Sequence, residues 1–157
     1  MSGAAAPFPS ADWFDALVLG ATADQAAIER LGTAELRFGM EIVLADGSDA
    51  FYGLVLDGYD IDAVGPTTEE AFGPEVVISG PLAAWEEMTG WIAANGPADS
   101  AHSLNGLSIA GIPFVVRAPD AMGSDKFYRF MGTLQAVFDA GVPGASGAAT
   151  PVGAGQA

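Results

Sequence analysis

A short stretch near the middle of the chain passes from a strand pattern directly into a helix pattern. The β-branched run at 76–78 predicts a buried strand that ends at Ser79-Gly80. Pro81 suits the first position of the following helix, because its missing N–H would have no intrahelical partner there. The stretch therefore predicts a hinge between a sheet and the helices that cover it, which is typical of an α+β domain.

Two helices carry apolar side chains at helical spacing. In the first, predicted from Pro81 to about Ala94, the apolar face consists of Leu82, Trp85, Met88 and Ile92. The second is predicted from Ser124 and Asp125, as capping residues, to about Ala140. Its apolar positions are Phe127, Phe130, Met131, Leu134, Val137 and Phe138. This is the clearest helical pattern in the chain, and it predicts a helix with one buried face.

Three consecutive segments alternate as half-buried strands do. They span residues 35–44, 50–56 and 59–64, with turn residues at Gly47 and Gly58. Short turns between adjacent strands predict an antiparallel meander. A further strand, or a pair of strands broken at Gly111 and Pro113, is predicted over 107–116. Together with the strand at 75–79, these segments predict a largely antiparallel five-stranded sheet covered by helices.

The N-terminal part of the domain is predicted to be helical. Ser10 is a predicted cap for a helix over 11–19, and a second helix is predicted over 23–31. A short helical segment carrying His102, the only histidine, is predicted over 98–105. The organisation expected from composition is a flexible tail at 1–9, one domain over 10–140 and a disordered tail at 141–157, which is rich in Gly, Ala and Pro.

The charge balance excludes some classes of partner. Twenty carboxylates face only five basic side chains, which gives a net charge of −15. Such a charge repels phosphate backbones and anionic membrane surfaces, so we expect no nucleic-acid partner. No signal peptide is visible and no run approaches the ~20 apolar residues of a spanning helix, so we expect no stable membrane insertion and a cytoplasmic location. The oligomeric state stays open.

No complete catalytic motif is present. The chain has no cysteine, no G-x-S-x-G elbow, no phosphate-binding loop and a single histidine. The acidic run DGYDID at 57–62 does not have the spacing of a calcium loop. We therefore predict no catalytic residue, no metal ligand and no cofactor. A small cofactor-free isomerase or hydrolase remains the alternative, and its candidate polar residues are Arg37, Tyr52, Tyr59, Asp60 and Asp62.

The chain has more large apolar side chains than one small sheet ordinarily needs. Aromatic and methionine side chains can line a ligand pocket without filling it, although a packed core uses the same residues. The predicted ligand-binding residues are Phe38, Met40, Phe51, Trp85, Met88, Ile92, Phe114, Phe127, Phe130, Met131 and Leu134.

The order of these elements resembles the sterol carrier protein 2 domain family. The matching segments are VVISGPLAAWEEMTGW at 76–91, GLSIAG at 106–111 and FYRFMGTLQAVF at 127–138. The segment between Gly111 and Ser124 departs from the pattern, because it is longer and more strand-like. The resemblance implies a non-catalytic domain with a hydrophobic tunnel, walled by the sheet and covered by the last helix.

The implied ligands are sterols, fatty acids or fatty acyl groups, and the implied protein partner is a lipid-metabolising enzyme. The acidity of the chain favours a neutral ligand, such as a steroid or terpenoid, over a CoA thioester whose phosphates need cations.

Overall fold

The computed structural model describes residues 6–109 and 113–144 of the chain. Within these ranges the elements are α1 (Ala11–Ala23), α2 (Gln25–Glu29), β1 (Ala34–Val43), β2 (Asp49–Gly58), β3 (Asp60–Thr67), α3 (Glu69–Phe72), β4 (Val76–Pro81), α4 (Leu82–Asn95), α5 (Leu104–Ser108), β5 (Val115–Arg117) and α6 (Ala121–Gly141). The strands form one sheet in the order β3-β2-β1-β4-β5. Among these described strands, β1 and β4 pair in parallel and the other neighbours are antiparallel. The predicted α+β class with a largely antiparallel five-stranded sheet is therefore confirmed.

The three predicted strands β1, β2 and β3 do form an antiparallel meander. Gly47 and Gly58 occupy the turns with φ of +88° and +68°, a backbone region that side chains with a Cβ rarely adopt. The register places Phe38 opposite Leu54 and Met40 opposite Tyr52. Apolar side chains of β1 and β2 therefore meet on one face of the sheet.

The strand-to-helix stretch lies next to the central strand of the sheet, β1. β4 pairs with β1 in parallel, and the chain then enters α4 directly. Gly80 leaves room for an aromatic ring, because a Cβ there would lie 2.5 Å from the Phe114 ring. Pro81 is the last residue of β4 and caps α4 with an extended backbone, so the helix begins one residue later than predicted, at Leu82.

The N-terminal helix is longer than predicted. Ser10 caps it as expected, since the Ser10 hydroxyl accepts a hydrogen bond of 3.1 Å from the Trp13 N–H. The helix continues to Ala23, however, and α2 is reduced to Gln25–Glu29. Gly20 favours a helix end in the sequence but lies inside α1. The residue has to be glycine, because a Cβ there would come within 2.9 Å of the Gly141 Cα.

Two predicted boundaries in the C-terminal half are wrong. Leu107 belongs to helix α5, capped by the Ser103 hydroxyl, whereas the sequence predicts a strand at that point. The remaining predicted strand residues at 110–112 lie outside the described residues, and β5 is confined to Val115–Arg117. His102 precedes α5 and is not part of it.

The start of α6 is also earlier than predicted. Asp120 caps the helix by accepting a hydrogen bond of 3.0 Å from the Gly123 N–H, so Ser124 and Asp125 are helical residues and not caps. Gly123 favours a loop in the sequence. In the structure it lies against the backbone, because a Cβ there would be 1.9 Å from the Glu75 carbonyl oxygen.

The two faces of the sheet carry clusters of different size. The main core joins the inner face of the sheet to α1, α4, α5 and α6. The outer face carries a small cluster of Phe51, Phe72 and Val77.

Phe8, in the segment before α1, packs edge-on against Trp13, with ring centroids 4.6 Å apart. Residues 1–5 and 145–157 of the two predicted tails lie outside the described residues.

Candidate functional site

The inner face of the sheet and the helices packed on it enclose an apolar interior. Eight of the predicted ligand-binding residues meet there: Phe38, Met40, Trp85, Met88, Ile92, Phe114, Phe127 and Leu134. β1 contributes alternate residues, and α4 and α6 contribute residues whose spacing follows the turns of a helix, as the two periodicities require. All eight side chains are fully buried. A ligand can reach them only when neighbouring side chains move.

Aromatic rings make the main contacts across this interior. The Phe127 ring of α6 stacks over the Phe38 ring of β1, with centroids 6.1 Å apart. The Trp85 ring contacts the Phe114 ring at 4.5 Å. The Trp85 indole N–H donates a hydrogen bond of 3.4 Å to the carbonyl of Glu41. The contact between Phe127 of α6 and Phe38 of β1 is therefore apolar, and no polar network has to break there when the side chains rearrange.

Two further predicted residues lie at the margin of the interior. Phe130 and Met131, on α6, are half-buried and pack against the main core. Phe130 also lines a pocket of about 500 Å³, which we call the β1–α6 pocket. Its other lining residues are Thr33, Ala34, Glu35, Asp57, Gly58, Met122, Lys126 and Arg129. Two of its lining residues also belong to the core packing, since Ala34 is part of the main core and Phe130 packs against it.

Phe51 does not join the other predicted ligand-binding residues. It lies on the opposite face of the sheet with Phe72, in the space left by Gly39 and Gly53. The neighbouring Tyr52 faces the interior instead, and its ring stacks on that of Phe14 at 4.6 Å. The prediction chose Phe51 over the adjacent Tyr52 as a ligand-binding residue, although the alternation of Leu54 and Leu56 indicates that even-numbered residues of β2 face inward.

The polar residues of the enzyme hypothesis do not converge in the described structure. Arg37 donates hydrogen bonds to the carbonyls of Phe72 and Gly73, and its guanidinium lies over the Phe72 ring. Asp60 and Asp62 are exposed on β3. Tyr59 is exposed as well, whereas Tyr52 is buried. Burial raises the pKa of the Tyr52 hydroxyl. No described pocket brings a carboxylate of this set against either tyrosine.

A charged network ties α3 to the edge of the sheet on the outer face. Arg117 of β5 forms two hydrogen bonds of 2.8 Å with the Glu69 carboxylate and one of 3.2 Å with Glu41. The hydrogen bonds from Arg117 hold the pKa of Glu69 below its usual value. They also raise the pKa of Arg117 itself. The network fixes the segment that leads into α6.

The single histidine, His102, contacts a carboxylate three residues away in the chain. The His102 Nδ1 lies 2.6 Å from the Asp99 carboxylate, and the ring stacks on Trp91 at 4.9 Å. The hydrogen bond to His102 lowers the pKa of Asp99. Within residues 6–109 and 113–144, no group of three or more His, Asp or Glu side chains could hold a metal ion.

In the same part of the chain, no helix combines the length and apolar character needed to cross a bilayer.

Comparison with solved structures identifies the fold. A crystal structure of sterol carrier protein 2 aligns with 83% of this chain and 95% of its own, at a TM-score of 0.56 and 13% identity. A solution structure of a Thermus thermophilus protein covers 90% of this chain and 96% of its own, at a TM-score of 0.57 and 14% identity. That second protein is a conserved hypothetical protein described as a candidate sterol carrier protein. The chain has an SCP2-like fold, as its sequence predicts.

Comparison of sequences adds nothing to this assignment. No protein-family model matches the chain, and no curated protein matches it. The assignment of the fold therefore rests on the solved structures.

Proposed function

We propose that this protein binds an apolar small molecule between the sheet and α6 and releases it without chemical change. The observation that carries the proposal is the convergence of eight predicted apolar residues, from β1, α4, α6 and the segment before β5, in one core cluster. The likeness in fold to a sterol carrier protein 2 structure supports the same function, because that protein is named as a carrier of sterols.

The route of the ligand follows from how α6 is held. Near its N-terminus, Gly123 lies against the carbonyl of Glu75, and the Lys126 ammonium pairs with the Glu75 carboxylate at 2.6 Å. At its C-terminus, Gly141 lies against the backbone of α1. Since both ends are close-packed, we infer that α6 does not lift as a rigid lid and that the ligand enters through the β1–α6 pocket, beside the N-terminal half of α6.

Two flexible side chains at this pocket can act as the gate. Phe130 is half-buried, and Met122, at 66% exposed, has no rigid surroundings to hold it. Methionine adapts to ligands of different shape, and the Phe130 ring can swing aside without breaking a hydrogen bond. Displacement of Phe130 would expose the interior at Phe127. The ligand would then take the place of side chains that pack on one another there.

The net charge of −15 constrains the ligand class. An anionic ligand would approach against the field of the whole protein, whereas a neutral one would not. We therefore propose a neutral sterol, steroid or terpenoid in preference to a fatty acyl-CoA. Apolar burial contributes about 25 cal/mol for each Å² of ligand surface removed from water, so a neutral ligand of this kind needs no charged partner in the protein.

Binding of a fluorescent sterol and a fluorescent fatty acid tests the proposal. We expect saturable binding of the sterol by the native protein and weaker binding by the Phe130→Glu variant. Tyr128→Glu is the matched control, because Tyr128 lies on the same helix, is 57% exposed and lines none of the described pockets. Equal affinity of the two variants would contradict the proposed gate, and binding of neither probe by the native protein would contradict the function.

A further inference from the structure

A second pocket lies between α2, the segment after α4 and the C-terminal half of α6. It has a volume of about 310 Å³, and we call it the α2–α6 pocket. Its lining residues are Asp24, Ala27, Arg30, Leu31, Pro97, Ala136, Asp139 and Ala140. Most of them are apolar and small. The volume lies at the lower end of the range of ~300–1,000 Å³ that is usual for small-molecule sites.

Asp139 is the most buried of the three charged residues that line this pocket, since Asp24 and Arg30 are exposed. Its Oδ1 accepts hydrogen bonds from the Ala98 N–H at 3.0 Å and from the Gln135 side chain at 2.9 Å. In residues 6–109 and 113–144, no hydrogen bond reaches its Oδ2. Burial raises the pKa of this carboxyl, so its surroundings disfavour a charge that has no counterion.

No cation of the described chain neutralises Asp139. Arg30 lines the same pocket, yet the ion pairs of the described residues involve other groups. The carboxylate is thus held in place through one oxygen by α6 and the segment at 97–98, while the other oxygen is left for an external donor. A protonated amine donates to a carboxylate more strongly than a neutral group does.

The geometry points to the α2–α6 pocket as a binding site for a small apolar molecule that carries one protonated amine. The ammonium would donate to Asp139 Oδ2, and the apolar part would pack on Ala27, Leu31 and Ala136. The net charge of −15 attracts a cation over distances of about a Debye length. Asp24 and Arg30 line the same pocket with opposite charges and are both exposed, which leaves Asp139 as the acceptor for a single ammonium.

This site is separate from the proposed sterol-binding interior. None of its lining residues belongs to the eight buried residues beneath α6 or to the β1–α6 pocket. The inference therefore stands or falls independently of the proposed function.

Binding of n-hexylamine, measured by calorimetry or by ligand-observed NMR, tests the inference, with n-hexanol as the neutral probe of similar shape. The informative variant is Asp139→Asn, because asparagine retains the Oδ1 acceptor for Ala98 and Gln135 but loses the charge. Asp15→Asn is the matched control, since Asp15 is exposed on α1, lines none of the described pockets and changes the net charge equally.

We expect saturable binding of hexylamine to the native protein and to Asp15→Asn, with an affinity roughly tenfold to a hundredfold lower for Asp139→Asn. Hexanol should bind more weakly than hexylamine and be unaffected by the substitution. Three results would overturn the inference: no saturable hexylamine binding to the native protein, the same affinity for Asp139→Asn as for the native protein, or equal losses in the two variants.

Discussion

The crossing of α1 and α6 depends on the absence of side chains at two glycines, Gly20 and Gly141. A Cβ at Gly141 would lie 2.1 Å from the carbonyl oxygen of Leu17, far inside the 3.4 Å at which ordinary contact begins. The opposing atom belongs to the backbone and cannot rotate away. Gly141→Ala should therefore push the two helices apart.

The expected cost can be set against a control in the same helix. Overpacking of a closely fitted site costs typically about 1–3 kcal/mol of the free energy of unfolding. Gly132 is exposed on α6, and a Cβ there would meet nothing within 4 Å. Gly132→Ala should stabilise the protein by about 1 kcal/mol, because alanine favours helix more than glycine does. The two variants should thus differ by roughly 2–4 kcal/mol.

Urea unfolding followed by circular dichroism measures this difference through the shift in midpoint at constant slope. A loss of this size is a large share of the total, since small domains are stable by only about 5–15 kcal/mol. If Gly141→Ala were as stable as Gly132→Ala, the close packing of α6 on α1 would be wrong, and so would the argument that α6 does not lift.

Three further predictions rest on other contacts. Phe127→Ala should cost about 3–5 kcal/mol, because this fully buried ring would leave a cavity, and an apolar ligand should restore part of the loss in thermal unfolding. The pKa of Glu69 is lowered in the folded protein. Its ion pair with Arg117 therefore stabilises the protein at pH values above the unfolded pKa near 4.5, and this stabilisation is lost as the pH falls through the folded pKa. Arg117→Gln should cost about 0.5–1 kcal/mol at neutral pH and lose less stability than the native protein on acidification; an unchanged acid titration would contradict this. The pKa of Asp139 is raised in the folded protein, so its contribution to stability is complete below the usual pKa of 3.8 and is lost as the pH rises through the folded pKa. Asparagine resembles the protonated carboxyl, so Asp139→Asn should be more stable than the native protein at neutral pH and equally stable in acid. Urea unfolding at the two pH values measures the difference.

Periodicity predicts the fold because each main element has a continuous pattern. The alternation in β1 identifies Phe38 and Met40 as inward-facing, and the spacing in α6 identifies Phe127 and Leu134 as its buried face. These features are local, so the sequence alone specifies them.

The errors fall where tertiary contacts decide the structure. Gly20 and Gly123 favour helix ends in isolation, yet both lie inside helices. A neighbouring backbone passes too close to each of them for a Cβ, so tertiary packing requires glycine at both positions. Leu107 lies in a short helix whose start depends on the Ser103 hydroxyl, and that signal is weaker than the apolar run that predicts a strand. The contacts of the two glycines leave no local pattern, whereas the Ser103 cap is a local signal that the apolar run outweighs.

The pockets could not be predicted for the same reason. The β1–α6 pocket combines residues from the start of β1, the end of β2 and one side of α6, which are distant in sequence. Phe130 is the only predicted ligand-binding residue among those that line it. The α2–α6 pocket likewise depends on the segment at 97–98 lying against Asp139.

A titration with a fluorescent sterol tests the central claim most directly. Energy transfer from the tryptophans, of which Trp85 is fully buried in the interior, reports a bound sterol, and the Phe130→Glu variant tests whether that sterol lies beneath α6. The account predicts transfer that saturates at one sterol per chain and is weakened by Phe130→Glu but not by Tyr128→Glu. Absence of saturable transfer with the folded native protein would contradict the claim that the interior binds an apolar ligand.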